Sequence, residues 1–443
     1  MSVNWTSKLG FVLSAAGSAI GLGAIWKFPY TAGTNGGAVF FLIFLIFTII
    51  VGVPVLLAEF FIGRKTNKNP IDALTQIAPN PAWAWIGRLG MASCFFLLSF
   101  YSVVGGWVFT YVWHALSGTI TPTTDFAALF GDTIANPMLA LGFQAAFMLV
   151  TVWVVQNGIS SGIERANKYL MPVLFIMFLL LAARSLTLPN AMEGVKFLLK
   201  PDFSVITPNT WLMALGQAFF ALSLGVSTMM TYASYLDNKQ DLFRSANSIM
   251  WLNMLVSLLA GLVIFPAVFA FDFKPDSGPG LIFIVLPAVF QKMPFGTLLF
   301  AIFMILVALA TLTSAFSMLE TAIAYFVQHR PQARRRISWL AGMAIFIVGI
   351  PSALSFGLMG DFKIIGKTVF DLWDYLITSW IMPLSSLAVC VLVAWVLQRD
   401  AVIAHMREGS NLPPIVAVVW RNMLRYAAPI AILLVFANTL GWI

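Results

Sequence analysis

Apolar runs of about 20 residues recur along the whole chain, and each is long enough to cross a bilayer as a helix. Of the 443 residues, 60% are hydrophobic and only 9% are charged, a composition that water-soluble domains do not have. We therefore predict an all-α membrane protein with about eleven transmembrane helices. The predicted segments are 9–28, 38–62, 85–117, 138–156, 165–184, 209–236, 244–272, 295–328, 338–356, 367–397 and 415–441.

The net charge of +8 indicates membrane topology rather than a nucleic-acid partner. Basic residues concentrate in the cytoplasmic loops of membrane proteins, and a cytoplasmic N-terminus gives those loops roughly twice the lysine and arginine of the external ones. The first apolar run lacks a cleavage site, so we expect it to be retained as a span. With an odd number of spans, the C-terminus is then external.

Patterns typical of catalytic or structural metal sites do not occur in the sequence. Cys94 and Cys390 both lie in apolar runs, without the spacing of a disulfide framework or a metal site. His114, His329 and His405 lie at the ends of segments far apart in the chain, and neither HExxH nor a nucleophile elbow is present. We predict that the cysteines pack in the core and that the protein is not an enzyme.

Two segments are interrupted in a way that a lipid-facing helix does not need. The first contains AAGSAIGLGAIWKFPY, Ala15 to Tyr30, and the sixth contains FFALSLGVSTMM, Phe219 to Met230. Discontinuous helices at corresponding positions of two halves indicate an inverted-repeat transporter with its binding site at the midplane. Ions and substrate, rather than lipid, then satisfy the freed backbone groups. Glycines that only allow close helix packing are the alternative.

This pattern predicts one transmembrane transporter domain over residues 1–443, built as a 5+5 inverted repeat with discontinuous helices 1 and 6. Repeat one covers about 9–184 and repeat two about 209–397, and an extra helix follows at 415–441. The loops are short throughout, which leaves no room for an appended soluble domain and is typical of a bacterial inner-membrane protein.

Seven motifs occur in order along nearly the whole chain: AGSAIGLG, WKFPY, NGGAVF, GIERANKYLMP, GQAFFALSLG, TYASYL and LTSAFS. They resemble the neurotransmitter:sodium symporters, which have the fold of the bacterial leucine transporter, and are most similar to a bacterial member that carries several hydrophobic amino acids. The resemblance implies sodium-coupled symport of aliphatic and aromatic L-amino acids by alternating access in the inner (plasma) membrane. The family usually has twelve spans, where eleven are predicted here.

The resemblance implies two sodium ions. Sodium site 2 would use the carbonyls of Gly17, Ile20 and Ala310 with the hydroxyls of Thr313 and Ser314. Neutral oxygen ligands suit a hard cation, although the two hydroxyls could instead bond back within their own helix.

Sodium site 1 would use Ala19, Ala221 and Asn253, but Ala24 and Ala221 replace two side-chain ligands of the family. The family's anion site is also incomplete. Gln217, Asn253 and Ser257 match it, whereas Phe44 and Ala221 lack its hydroxyls, so tight chloride binding is not expected.

The substrate class follows from Gly21, because family members that carry monoamines have an aspartate there, whereas amino acid carriers have glycine. The substrate carboxylate would meet the amides near Leu22 and Gly23 and the Tyr101 hydroxyl, and the ammonium would face carbonyls near Ala19, Phe220 and Ser223. The uncharged side-chain pocket would consist of Leu97, Tyr101, Phe220, Val226, Ser314 and Met318. Val226 and Met318 would widen it, unless they are only core residues.

The resemblance also implies gates. Lys27 and Asp374 occupy the positions of the external ion pair, although Lys27 could simply snorkel to the membrane surface. Tyr101 and Phe220 would form an aromatic lid beneath that pair. Ser2 and Gln328 stand where an internal salt bridge is expected, so Trp5 would plug that side. Pro172, ten residues after Gly162, predicts local unwinding of the fifth segment or a static kink.

Two alternatives remain open at this stage. A proton-coupled carrier on the same fold would use Glu59 or Glu320, which lie in apolar segments. An amino acid sensor that does not transport could keep the same binding site. Otherwise, the expected partners are a small hydrophobic amino acid and the lipid bilayer, with no nucleic acid and no obligate protein partner.

Overall fold

The computed structural model describes residues 4–121, 123–271, 273, 278–411, 413–440 and 442, so the predicted gate residue Ser2 lies outside the described residues. Within these ranges, ten helices are long and apolar enough to cross a membrane, and the shorter helices α6 and α7 occupy the predicted segment 209–236 between the fifth and sixth of them. In chain order the helices are α1 (Lys8–Thr34), α2 (Ala38–Thr66), α3 (Pro81–Leu116), α4 (Pro137–Val155), α5 (Ile159–Leu186), α6 (Pro208–Ala221), α7 (Thr228–Ala233), α8 (Leu242–Ala270), α9 (Gly296–His329), α10 (Pro331–Leu354), α11 (Val369–Val396) and α12 (Pro414–Thr439).

Short helices connect the long ones, and the only β pairing in the described ranges is one isolated bridge. Proline in the first turn, after a polar cap, starts several helices because the missing N–H would be unpaired there in any case. The Asn136 side chain, for example, accepts from the N–H groups of Met138 and Leu139 at the start of α4. The connecting helices are Pro70–Ile77, Phe126–Ala135, Ala191–Leu199, Val285–Gln291 and Arg399–Arg407, with 3₁₀ turns at Phe203–Val205 and Gly278–Leu281.

Burial divides the helices into a central group and a peripheral group. The most apolar stretch of α1 is 83% buried, compared with 33% for α5, α10 and α12. α1 packs against α5, α8 and α9, and α3 packs along α9. α1 is thus enclosed by protein, as a helix that carries a polar site must be, while the peripheral helices present apolar side chains to the bilayer.

Candidate functional site

The backbone leaves the helical conformation at two places that face each other. Within α1, Gly21 has φ −2° and ψ −150°. Between α6 and α7, Ser223, Gly225 and Ser227 have φ of 52°, 80° and 59°, in the left-handed region that residues other than glycine rarely adopt. The Ser223 hydroxyl donates to the Ser18 carbonyl at 3.1 Å. Both interruptions therefore meet at the centre of the molecule.

A small central cavity lies at this meeting point. No charged side chain lines it, and apolar groups form most of its wall. The eleven residues that the sequence predicts for substrate binding all line it: Ala19, Gly21, Leu22, Gly23, Leu97, Tyr101, Phe220, Ser223, Val226, Ser314 and Met318.

Four further residues line the central cavity and were not predicted from the sequence: Ser18, Thr228, Ser317 and Met382. Ser18 and Ser317 lie within the predicted motifs, and their hydroxyls are 2.7 Å apart. Met382 comes from α11, and it reaches the cavity because α11 lies against the link between α6 and α7, where a Cβ on Gly225 would overlap its carbonyl. No local sequence pattern indicates that contact.

Polar atoms without partners point to the ligand that this cavity accepts. The Tyr101 hydroxyl is buried and has no hydrogen-bond partner among the described residues. A Cβ added to Gly21 would lie 3.1 Å from that hydroxyl and would overlap the Ser314 hydroxyl. Glycine thus allows the hydroxyls of Ser314 and Tyr101 to lie close to the backbone of α1. An uncompensated buried hydroxyl is costly, so an anionic or polar ligand group beside Tyr101 would stabilise the site.

Four of the five residues predicted for sodium site 2 contribute oxygens to one cluster beside the cavity. The Thr313 hydroxyl donates to the carbonyls of Gly17 at 2.9 Å and Ala310 at 2.8 Å. The Ser314 hydroxyl lies 3.2 Å from the Gly17 carbonyl. The fifth residue, Ile20, directs its carbonyl to the N–H of Gly23. The Thr313 hydroxyl thus serves its own helix and also joins α9 to α1.

The residues predicted for sodium site 1 also converge. The Asn253 amide nitrogen donates to the carbonyls of Ala19 at 3.1 Å and Ala221 at 2.8 Å, and its amide oxygen is buried without a partner. The oxygen and nitrogen of the Asn253 amide are distinguished only by the hydrogen bonds around them. With the Asn253 amide rotated by 180°, its oxygen and the carbonyls of Ala19 and Ala221 would face one point. A cation at that point would stabilise the three oxygens.

Among the residues that match the family's anion site, Gln217 donates to the Gly23 carbonyl at 2.8 Å. Its amide oxygen and the Ser257 hydroxyl are buried without partners, while Phe44 packs among apolar side chains. Only part of an anion site is therefore present.

Comparison with known proteins identifies the family of this chain. The model of the "Sodium:neurotransmitter symporter family" matches residues 3–127 and 133–441. The chain belongs to the sodium:neurotransmitter symporter family. It is 50% identical over 441 residues to "Uncharacterized sodium-dependent transporter YhdH" of Bacillus subtilis, which covers 99% of this chain and 98% of the relative.

Two further comparisons agree. "Uncharacterized sodium-dependent transporter MJ1319" of Methanocaldococcus jannaschii is 31% identical over 448 residues, covering 96% of this chain and 88% of the relative. The crystal structure of MhsT in complex with L-phenylalanine superposes with a TM-score of 0.90 at 40% identity, covering 98% of this chain and 99% of that one. This sodium:neurotransmitter symporter is thus a secondary transporter, not an enzyme, and a multi-pass protein of the plasma membrane.

On one side of the central cavity, the symporter has a second, outer cavity lined by Lys27 and Asp374. The Lys27 ammonium lies 4.3 Å from the centroid of the Phe220 ring, a cation–π distance. Within the described ranges, no direct ion pair joins Lys27 to Asp374. Four residues line both cavities and therefore separate them: Leu22, Leu97, Tyr101 and Phe220.

On the opposite side of the symporter, the predicted plug residue Trp5 is buried. Its indole N–H donates to the Tyr232 carbonyl at 2.9 Å, and its ring makes edge contacts with Phe11 and Tyr232. The first residues of the chain that the structure describes thus lie directly against the end of α7.

A buried ion pair that the sequence did not predict lies close to Trp5. Arg334 at the start of α10 pairs with Glu320 of α9, whose side chain is completely buried. The Tyr235 hydroxyl donates to the same carboxylate at 2.8 Å, and Arg334 also donates to the Val155 carbonyl at 3.0 Å. Gln328 instead accepts from the backbone N–H of Asn69. Glu320 and Arg334 therefore join α9, α10, the end of α4 and the segment after α7 on this side.

The other acidic residue noted in the sequence, Glu59 of α2, reaches the link between α6 and α7. One carboxylate oxygen accepts from the Gly225 N–H at 2.8 Å, and the other is buried without a partner. Glu59 and Glu320 therefore bind different elements. The cysteines Cys94 and Cys390 are buried and free.

Proposed function

We propose that this symporter couples sodium to the transport of hydrophobic L-amino acids, both aliphatic and aromatic. The observation that carries the proposal is the uncharged central cavity, which brings together all eleven residues that the sequence predicted for such a substrate. The relative MhsT, of the same fold, was crystallised with L-phenylalanine. An uncharged apolar wall favours an apolar side chain over a charged one.

The two ends of the substrate would find different partners in this cavity. The carboxylate would accept from the Tyr101 hydroxyl and from backbone N–H groups near Leu22 and Gly23, at the positive end of a half-helix. The ammonium would lie near the carbonyls of Ala19, Phe220 and Ser223. Glycine at position 21 lets the Ser314 and Tyr101 hydroxyls lie close to the backbone of α1, because an added Cβ would overlap Ser314.

The side chain of the substrate would lie among Leu97, Val226, Met318 and, as an addition from the structure, Met382. Two flexible methionine thioethers allow the wall to adapt to side chains of different shape. This adaptability supports a range that includes both leucine and aromatic amino acids.

Two sodium ions would bind at the oxygen clusters described above. Site 2 would use Gly17, Ile20, Ala310, Thr313 and Ser314, and site 1 would use Ala19, Ala221 and Asn253 with the substrate carboxylate. At about 100 mV each ion contributes roughly 2.3 kcal/mol, and a tenfold gradient adds about 1.4 kcal/mol. Two ions would support roughly 10⁵-fold accumulation of a neutral substrate, and one about 500-fold. Chloride is not part of the proposal.

Alternating access requires a barrier on each side of the substrate. The outer barrier would be Tyr101 and Phe220, with Lys27 and Asp374 above them. The inner barrier would be Trp5 together with the pair Glu320–Arg334, which stands in for the salt bridge that Ser2 and Gln328 cannot form. Each barrier would open only while the other is closed.

Uptake of labelled phenylalanine and leucine into proteoliposomes, with and without an inward sodium gradient, tests the proposal. Wild type should accumulate both substrates only with sodium, and Thr313→Ala/Ser314→Ala should lose accumulation. Thr321→Ala is the control, because that hydroxyl lies on the same helix and donates to the Ser317 carbonyl rather than to α1. Accumulation that ignores sodium but follows a pH gradient would overturn the sodium assignment.

Accumulation that follows a pH gradient would favour a proton-coupled carrier. One observation supports such a carrier: Glu59 is buried with one carboxylate oxygen unpartnered. In that case Glu59→Gln should abolish uptake driven by a proton gradient. Binding of phenylalanine without any counterflow would instead identify a sensor.

A further inference from the structure

Three arginines lie together where α11 ends and α12 passes it. Arg421 and Arg425 are one turn apart on α12, and Arg399 begins the short helix Arg399–Arg407 that follows α11. The Arg421 guanidinium reaches toward the Leu397 carbonyl, directly after the end of α11, at 3.5 Å. The cluster therefore lies level with the end of a membrane-spanning helix.

The described residues balance the positive charge of this arginine cluster only in part. None of the ion pairs between described residues involves Arg399, Arg421 or Arg425. Asp400 is the one acidic residue within electrostatic range of Arg421, where both Arg399 and Arg425 oppose its charge. Like charges one helical turn apart destabilise a helix. An anion at the cluster would remove that cost.

Buried donors without partners show where such an anion would bind. Arg421 is only 7% exposed, and its Nε is buried without a hydrogen-bond partner. The Nε of Arg425 is also buried and unpartnered. A guanidinium presents its N–H groups in a planar fork that matches two oxygens of one phosphate.

Aromatic side chains beside the cluster face the bilayer. The Arg425 guanidinium lies 4.1 Å from the centroid of Trp395 and 5.6 Å from that of Tyr426. Both rings are about half exposed, on helices long and apolar enough to cross a membrane, and such aromatic residues mark the level of the lipid headgroups. The predicted topology places this end of α12 on the cytoplasmic side, where basic pockets between helices meet anionic lipids.

We propose that Arg399, Arg421 and Arg425 form a binding site for the phosphate of an anionic phospholipid, with its acyl chains along Trp395 and Tyr426. The lipid would neutralise the cluster and fix α12 against α11. This site is separate from the central cavity, and its test does not depend on transport.

Native mass spectrometry of the full-length protein tests the site. The protein is equilibrated with equal amounts of phosphatidylglycerol and phosphatidylcholine that have the same acyl chains, and the ratio of the two bound lipids is measured. Wild type should retain phosphatidylglycerol preferentially, and Arg421→Gln/Arg425→Gln should lower that preference about fivefold or more. Arg335→Gln/Arg336→Gln removes the same charge from exposed positions at the start of α10 and should preserve the preference.

Equal loss of preference in both double variants, or none in either, would overturn the proposal. If Arg421→Gln/Arg425→Gln does not fold, Arg399→Gln, at an exposed position, must lower the preference, and Arg421→Lys/Arg425→Lys must retain part of it. A second arm adds inorganic phosphate at constant ionic strength. Thermal stabilisation by phosphate equal to that by phosphatidylglycerol would identify a site for a free anion and overturn the lipid assignment.

Discussion

The centre of the molecule contains small residues at positions where side chains from other helices approach the backbone closely. Ser314 is fixed by hydrogen bonds to the carbonyls of Gly17 and Ser18, and Gly21 lies directly against it. An added methyl group could not push Ser314 aside without breaking those bonds. The shape of the cavity therefore depends on single atoms, as expected for interiors that are close-packed.

Gly21→Ala should weaken substrate binding while the fold is preserved. The new Cβ would overlap the Ser314 hydroxyl, and overpacking costs about 1–3 kcal/mol, or roughly 5- to 150-fold in affinity. Binding of phenylalanine by isothermal titration measures the change. Gly216→Ala on α6 is the control, because a Cβ there meets no atom within 4 Å. Unchanged affinity in Gly21→Ala would show that the substrate carboxylate does not bind beside Gly21.

Met382→Ala should alter substrate preference rather than abolish transport. The substitution enlarges the apolar end of the cavity, so leucine should lose contacts worth about 1–3 kcal/mol, whereas tryptophan should fill the new space. Competition of leucine and tryptophan for phenylalanine uptake measures the shift. Met343→Ala, at a mostly exposed position on α10, should leave the ranking unchanged. A proportional loss for all substrates would mean that Met382 does not contact the side chain.

Much of this arrangement could be predicted from the sequence because its signals are local. The predicted segment 138–156 corresponds to α4 at Pro137–Val155, where proline and an asparagine cap set the start. The glycine-rich motifs marked both helix interruptions. Met382 and the partner of Glu320 were missed for a physical reason. Each contact depends on how distant helices pack, and Arg334 looks in the sequence like one of three arginines in a loop.

At the scale of elements, buried and exposed ion pairs should differ sharply in what they contribute to stability. Glu320 and Arg334 join α9 to α10 with side chains that are 0% and 13% exposed. Glu193 and Lys196 form a pair at 2.8 Å in which both side chains are more than half exposed. Removing one partner of a buried pair leaves an uncompensated charge and costs about 3–5 kcal/mol, whereas an exposed pair contributes about 0–1 kcal/mol.

Glu320→Gln should therefore loosen the inner side of the symporter. Tyr235 and Arg334 would lose their shared carboxylate, so amide hydrogens near Trp5 and in the stretch 232–236 should exchange faster. Hydrogen–deuterium exchange with mass spectrometry in sodium buffer measures this. Glu193→Gln is the matched control and should change exchange only locally. Unchanged exchange in Glu320→Gln would show that this pair does not hold the inner barrier closed.

At the scale of the whole molecule, Arg64 holds several distant segments together. It is among the largest fully buried side chains, and its guanidinium donates to the carbonyls of Gln240, His405 and Glu408. The end of α2 is thereby joined to two segments that lie far from it in the sequence. The charged guanidinium of Arg64 is tolerated in the interior because its N–H groups donate to three carbonyls at once.

Burial of His405 beside Arg64 makes the stability of the fold depend on pH. Burial, followed by the nearby charge of Arg64, lowers the pKa of His405 to about 4 from 6.5, against the opposing effect of Glu408. Below about pH 6.5 the unfolded chain binds a proton that the folded chain does not bind until about pH 4, so stability falls as the pH decreases through this window.

Thermal melting of wild type and His405→Gln between pH 8 and pH 4 measures this effect. The variant should lose less stability than wild type as the pH falls. Identical pH profiles for wild type and His405→Gln would assign the acid sensitivity to other groups.

The wall shared by the two cavities also suggests how this symporter could be inhibited. Leu22, Leu97, Tyr101 and Phe220 each present one surface to the central cavity and another to the outer one. A compound with an amino acid head group and a long aromatic tail would place its head in the central cavity and its tail between those side chains. A tail in that position would keep the four side chains apart, so the compound would compete with substrate without itself being transported.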